Sequence, residues 1–210
     1  MEEMIGVADS AEEKVEGRIV LTGFEPFDGR PINRSWELVR RFRGRPGVDV
    51  FRLPVDFVQV EELVAGILSR SPRALLMVGE SPIAELRVEQ VALNVADADR
   101  VDNAGRMPQS EAVVPGGVLA LRTSWNARRL AGRLHQEGIP ATVSFHAGTF
   151  VCNAALYSTL HQCLKAAAAS RAVPAVGFLH VPNSRGPSGL GTKNLARAVE
   201  LGVEDLLSLT

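Results

Sequence analysis

The 210-residue chain holds only two cysteines, Cys152 and Cys163. Two cannot build a disulfide scaffold, and a chain long enough to bury a sizeable core does not need one. Net charge is equally scarce: 23 basic and 24 acidic side chains leave −1 at pH 7. That removes the electrostatic case for a nucleic-acid or anionic-membrane partner. Long apolar runs are missing too. The uncharged stretch from Gly138 to Leu164, 27 residues, is broken by His146, Thr149, Asn153, His161 and Gln162, and is too polar for lipid. Residues 1–17 lack the basic and apolar regions of a signal peptide, so a cytosolic location is expected. Neither the dinucleotide fingerprint G-x-G-x-x-G nor a P-loop ending in G-K-[ST] occurs. No Cys/His spacing suits zinc. No metal and no cofactor are expected.

What is present is globular composition, 46% apolar and 22% charged, which excludes disorder for most of the chain. The charge is unevenly placed. Six acids and one lysine in residues 1–17 leave 18 acids and 22 bases, a formal +4, in the other 193. The expected organisation is an acidic, mobile extension over 1–17 and a single α/β domain over 18–210.

Beyond the leader, short β-rich runs alternate with helical patterns. The strands are expected at Arg18–Thr22, Val48–Leu53, Ala74–Val78, Val88–Val95, Ala141–Phe145 and Ala175–His180. ALLMV is continuously apolar, as a strand buried on both faces should be, while VEQVALNV mixes polar positions and reads as nearer an edge. Helices are expected at Ser35–Phe42, with Ser35 as cap, and at Asp56–Ser69, Ser124–Gln136, Asn153–Ala169 and Thr192–Leu207. This alternation predicts an α/β sandwich on a mostly parallel sheet. Residues 96–118 and 182–191 fit neither period and read as irregular excursions, where function often lies.

In open α/β sheets ligands bind beyond the carboxyl ends of the strands. The strand ending at Phe145 leads through His146–Val151 to Cys152, at the start of a helix, where free N–H groups and the helix dipole favour thiolate. An attacking sulfur there has backbone N–H groups nearby for an oxyanion; the alternative is a small buried hydrophobe. Cys163 lies eleven residues on, about 16 Å along the helix axis, out of disulfide reach, and reads as core filler. His180 ends the strand AVGFLH at what a parallel sheet makes the same edge, so a Cys–His pair for acyl transfer is within reach. His146 is a neighbour of Cys152 in sequence. Glu89 reads from the residues alone as a solvated strand position. The loop Gly23–Gly29 delivers Phe24 and Phe27, which either form an apolar pocket for a small neutral group or pack the first helix.

Together these segments resemble the pyroglutamyl peptidase I (pyrrolidone-carboxylate peptidase) family of cysteine peptidases, from about Arg18 to the C-terminus. Ala147-Gly148-Thr149-Phe150-Val151-Cys152-Asn153 is similar to the family's nucleophile motif. Leu21-Thr22-Gly23-Phe24-Glu25-Pro26-Phe27 with Asn33 and Trp36 is similar to its first loop and helix. Phe178-Leu179-His180-Val181-Pro182 resembles its histidine motif, and Glu89-Gln90-Val91-Ala92-Leu93-Asn94 the segment with the acid. The resemblance implies Cys152 as nucleophile, His180 as general base and acid, and Glu89 as the group orienting it. It also implies that Phe24, Phe27 and Phe150, with Asn33, receive a neutral lactam ring. The implied fold is a three-layer α/β/α sandwich. The implied activity is removal of an N-terminal pyroglutamyl residue from peptides without metal or cofactor, by a cytosolic homo-oligomer, often a tetramer. Two places depart from the family. Its glycine pair and arginine after the third strand are replaced by Gly79-Glu80-Ser81-Pro82, and its A-R-I-P-D-N is Ala98-Asp99-Arg100-Val101-Asp102-Asn103. Either Asp99 stands at the arginine's place or Arg100 keeps its role in the substrate site. A related hydrolase of altered specificity, or a binding protein on the same fold, are the competing readings.

Overall fold

A computed structural model describes residues 17–183 and 190–210. The expected acidic extension, but for its last residue, and much of the second excursion lie outside the described residues. The elements in order are β1 (Ile19–Phe24), α1 (Arg34–Val39) with a 3-10 turn at Arg40–Phe42, β2 (Val48–Leu53), α2 (Gln59–Leu68), β3 (Ala74–Ser81) and β4 (Leu86–Glu89). There follow β5 (Val91–Leu93), β6 (Ala120–Arg122), α3 (Ala127–Gln136), β7 (Ala141–Ser144), α4 (Val151–Ala168), β8 (Ala175–Pro182) and α5 (Thr192–Leu207).

Six strands form the main sheet in the order β2-β1-β3-β8-β4-β7. All neighbours are parallel except β4 and β8, so β4 and β7 run against the other four. The two-residue period of the strands divides the core. Leu76, Val78, Leu179 and Val181 face α1, α3 and α5, and Leu75, Met77, Val176 and Phe178 face α2 and α4. Every residue of β3 and β8 is buried, as continuous apolar runs at the centre of a doubly covered sheet require. The result is the expected three-layer α/β/α sandwich.

Two local expectations change. VEQVALNV is two strands, not one: Gln90 leaves the main sheet, its side chain donating to Thr123 Oγ1 and Trp125 O, both at 3.2 Å. Val91–Leu93 then pairs antiparallel with β6, a strand the periodicity did not reveal. β4 does lie nearer an edge than β3, with only β7 beyond it. The cap of α1 is Asn33, not Ser35: Asn33 Oδ1 accepts from Ser35 N at 3.0 Å and Ser35 Oγ at 2.7 Å. Ser35 Oγ in turn accepts from Phe24 N at 2.9 Å, locking the end of β1 to the helix.

Candidate active site

The reversed direction of β7 bears directly on the site. Its carboxyl end lies level with Phe178, two residues short of His180, because Ser144 and Phe178 both pair with Glu89. Cys152 and His180 therefore do not share an edge by simple parallel succession. The segment Phe145–Phe150 brings the helix that carries Cys152 back, turning through Gly148 at φ 82°, a conformation that suits glycine. α4 begins at Val151 with no side-chain cap from Phe150, so the N–H groups of its first turn stay available to a ligand.

A cavity of about 490 Å³ opens at this point. Phe24, Phe27, Asn33, Arg100, Phe150, Cys152 and His180 all line it. Glu89, fully buried, sits behind His180 and joins them through it. Glu89 Oε1 and His180 Nδ1 are 2.8 Å apart, so only Nε2 is left to face the cavity. Strand register explains the contact. Antiparallel pairing sets Glu89 opposite Phe178 and Arg87 opposite His180, which makes Glu89 and His180 diagonal neighbours on one face. The reading of Glu89 as a solvated position is overturned, because its side chain is fully buried with Oε1 on His180. Trp125 Nε1 donates to Glu89 O at 3.0 Å, fixing the strand end. Phe178 lies under the His180 ring at 4.8 Å between centroids. Gly79, beside His180 in β3, permits the close approach: a Cβ there would lie 2.9 Å from His180 Cδ2.

Burial pushes the Cys152 thiol up to about 12, with the Glu89 and Glu80 carboxylates acting in the same direction. The helix terminus was expected to favour thiolate, and here desolvation and two like charges outweigh it. The backbone of Glu80 opposes the rise.

The apolar wall is a cluster. Phe27 and Phe150 are 5.9 Å apart, and Phe57 meets Phe150 edge-on at 5.4 Å. Phe57 was not singled out in the sequence, where it sits in an unremarkable DFV. Asn33 borders the cavity, but its side chain is occupied: besides capping α1 it donates to Glu25 O at 3.0 Å. Arg100 lies at the rim, half-exposed, 2.9 Å from Asp99 and 3.5 Å from Asp28. Asp99, held by Arg100, has its carboxyl below the usual range. Glu80, which the sequence flagged only as a departure, is buried and paired with Arg30. Arg87, His146 and Asp97 also line the cavity and were not assigned a role. Cys163 packs at the margin of the core and borders a different cavity, of about 640 Å³.

Residues 17–193 match the family described as Pyroglutamyl peptidase. The pyrrolidone-carboxylate peptidase of Erwinia tasmaniensis is 36% identical over 205 residues, covering 91% of this chain and 93% of its own. That of Thermococcus kodakarensis is 35% identical over 204 residues, covering 90% and 97%. Among solved structures, pyrrolidone carboxyl peptidase from Thermus thermophilus superposes with a TM-score of 0.80 at 32% identity, over 90% of this chain and all of that one. Pyroglutamyl peptidase I from Bacillus amyloliquefaciens gives 0.81 at 29% identity, over 92% and 98%. By sequence and by fold, this chain belongs to the pyroglutamyl peptidase family.

Proposed function

We propose that the chain is a cysteine exopeptidase that releases N-terminal pyroglutamate from peptides, with Cys152, His180 and Glu89 as its catalytic residues. The observation that carries this is one cavity lined by Cys152 and by a His180 whose Nδ1 is held by buried Glu89. His180 Nε2 takes the thiol proton as the Cys152 sulfur bonds to the pyroglutamyl carbonyl carbon. The carbonyl oxygen gathers negative charge beside the uncapped first turn of α4, where backbone N–H groups and the helix dipole stabilise it. Collapse breaks the C–N bond, and the imidazolium gives its proton to the leaving amine. Water, deprotonated by His180, then cleaves the thioester, freeing pyroglutamate and returning the proton to sulfur.

The charge pattern of the cavity fits a blocked N-terminus. A free amino terminus calls for an unpaired carboxylate. Glu80 is held by Arg30 and Arg34 N, Asp97 by Ser110 N and Asp99 by Arg100, so each lining carboxylate has a partner. A neutral ring against Phe24, Phe27 and Phe150 needs none. Arg100 is assigned to the substrate end at the rim. Action in the cytosol as a homo-oligomer, tetrameric by resemblance, is part of the same reading and rests on the family.

The test is hydrolysis of chromogenic anilides by the purified protein. Pyroglutamyl anilide is expected to be cleaved at least about 100-fold faster, as kcat/KM, than prolyl anilide, whose ring nitrogen is charged. Alkylation of Cys152 without pyroglutamyl cleavage would instead support a hydrolase of altered specificity, which the Asp99–Arg100 and Glu80–Arg30 pairs at the cavity favour as second reading.

A further inference from the structure

Arg87 reaches the site without belonging to any motif that resembled the family. It stands on β4 directly opposite His180 and two residues before Glu89, with all three side chains on the α4 face of the sheet. Its side chain is only 16% exposed, and its Nε lies 3.7 Å from Glu89 Oε1. Its Nη2 donates to Ser144 Oγ and, at 3.3 Å, to His146 O. Ser144 ends β7, and His146 lies on the segment that turns the chain back to Cys152. Glu89 needs a cation close by. It is fully buried, and its Oε2 has no hydrogen-bond partner among the described residues; a buried carboxylate left without compensating charge is costly. The other charged or titratable groups lining the cavity are Glu80 on β3, Cys152 on α4, His146 and the Asp97, Asp99 and Arg100 of the excursion. Arg100 is engaged by Asp99 and Asp28 at the rim, which leaves Arg87 as the cation at Glu89 among the described residues.

We propose that Arg87 is a positioning residue that couples the Glu89–His180 pair to the segment delivering Cys152. It acts through other residues: its charge balances Glu89, so that Glu89 can support an imidazolium at His180, and its Nη2 hydrogen bonds fix the turn before α4. The proposal rests on the catalytic reading above, and one arm of its test does not require that reading's substrate.

Arg87→Gln removes the charge and keeps a hydrogen-bonding end; Arg87→Lys keeps the charge. Arg87→Gln is expected to lower kcat on pyroglutamyl anilide about 10- to 100-fold with KM within about twofold, the signature of misplaced groups rather than lost binding. Arg87→Lys should recover most of the loss. Alkylation of Cys152 by iodoacetamide at pH 7 should slow in parallel with kcat. A raised KM with unchanged kcat and alkylation would overturn the proposal and make Arg87 a substrate contact; unchanged behaviour, or equal losses in both variants, would also overturn it. Should Arg87→Gln fail to fold, Arg87→Lys and Ser144→Ala decide by the same alkylation. Slower reaction in Ser144→Ala with a near-wild-type rate in Arg87→Lys supports the coupling, and any other pair of results overturns it. If the wild-type protein cleaves no pyroglutamyl anilide, the alkylation arm still reads Arg87, so the two failures are separable.

Discussion

Both cysteines of this chain lie on α4, eleven residues apart, and burial pushes both thiols up, Cys152 to about 12 and Cys163 to about 11. Each is partly accessible and each borders a cavity, the one beside Cys163 being the larger, about 640 against about 490 Å³. Accessibility, titration and cavity size therefore do not tell the two apart. Their company does. Cys152 sits at the first turn of the helix and shares its cavity with His180, which is backed by Glu89. Cys163 sits far down the helix, where desolvation is the cause of its shift and its cavity is bordered, among the described residues, by Lys165 and Arg171 but by no histidine or carboxylate. A protonated thiol becomes a nucleophile only beside a base, and one end of the helix has one.

The largest expected effect that sharpens this contrast is on turnover. Cys152→Ala should reduce kcat by about 10⁴-fold or more, while Cys163→Ala, a small change at the core margin, should leave it within about twofold. Steady-state kinetics on pyroglutamyl anilide checks both; comparable losses would erase the distinction.

Next in size are the groups behind Cys152. His180→Ala and Glu89→Gln are each expected to lower kcat about 10²- to 10⁴-fold, the glutamine because its amide can present N–H instead of an acceptor to Nδ1. Neither should change the alkylation rate of Cys163, which can be followed by peptide mass mapping in the same samples.

The smallest effect is on stability at high pH. Both thiols are raised in the folded state above the ordinary value near 9. The unfolded chain thus gives up protons first, and the stabilisation present below pH 9 is lost as pH climbs towards about 12 for Cys152 and about 11 for Cys163. The slope is at most about 1.4 kcal/mol per pH unit for each thiol. Urea unfolding between pH 8 and pH 11 should show that slope reduced in both alanine variants.

The same contrast marks what could be read from residues alone. The apolar run ALLMV and the patterns of α2, α4 and α5 announce themselves because periodicity is local, and the fold class follows from their alternation. Cys152 was legible as a first-turn cysteine, and Phe24 and Phe27 as aromatics in a strand-to-helix loop. Glu89 was not legible from its neighbours. Its burial depends on β4 lying against β8, a pairing between residues some ninety positions apart, and only the family resemblance singled it out. The direction of β7 was hidden for the same reason. Without it Cys152 and His180 were expected together on grounds of a shared sheet edge, whereas the segment through Gly148 brings Cys152 to the cavity that His180 lines. Arg87 and Phe57 carry no local signal; strand register brings Arg87 to the cavity and packing sets Phe57 against Phe150 behind it.

The central claim is that Cys152 forms an acyl-enzyme and Cys163 does not. Acid-quenching the protein during turnover of a pyroglutamyl ester and mapping its peptides by mass spectrometry reads this directly. The expected result is a pyroglutamyl thioester on the peptide containing Cys152 alone, lost in Cys152→Ala. Rapid turnover with acyl group on Cys163, or with none on Cys152 at any quench time, would contradict it.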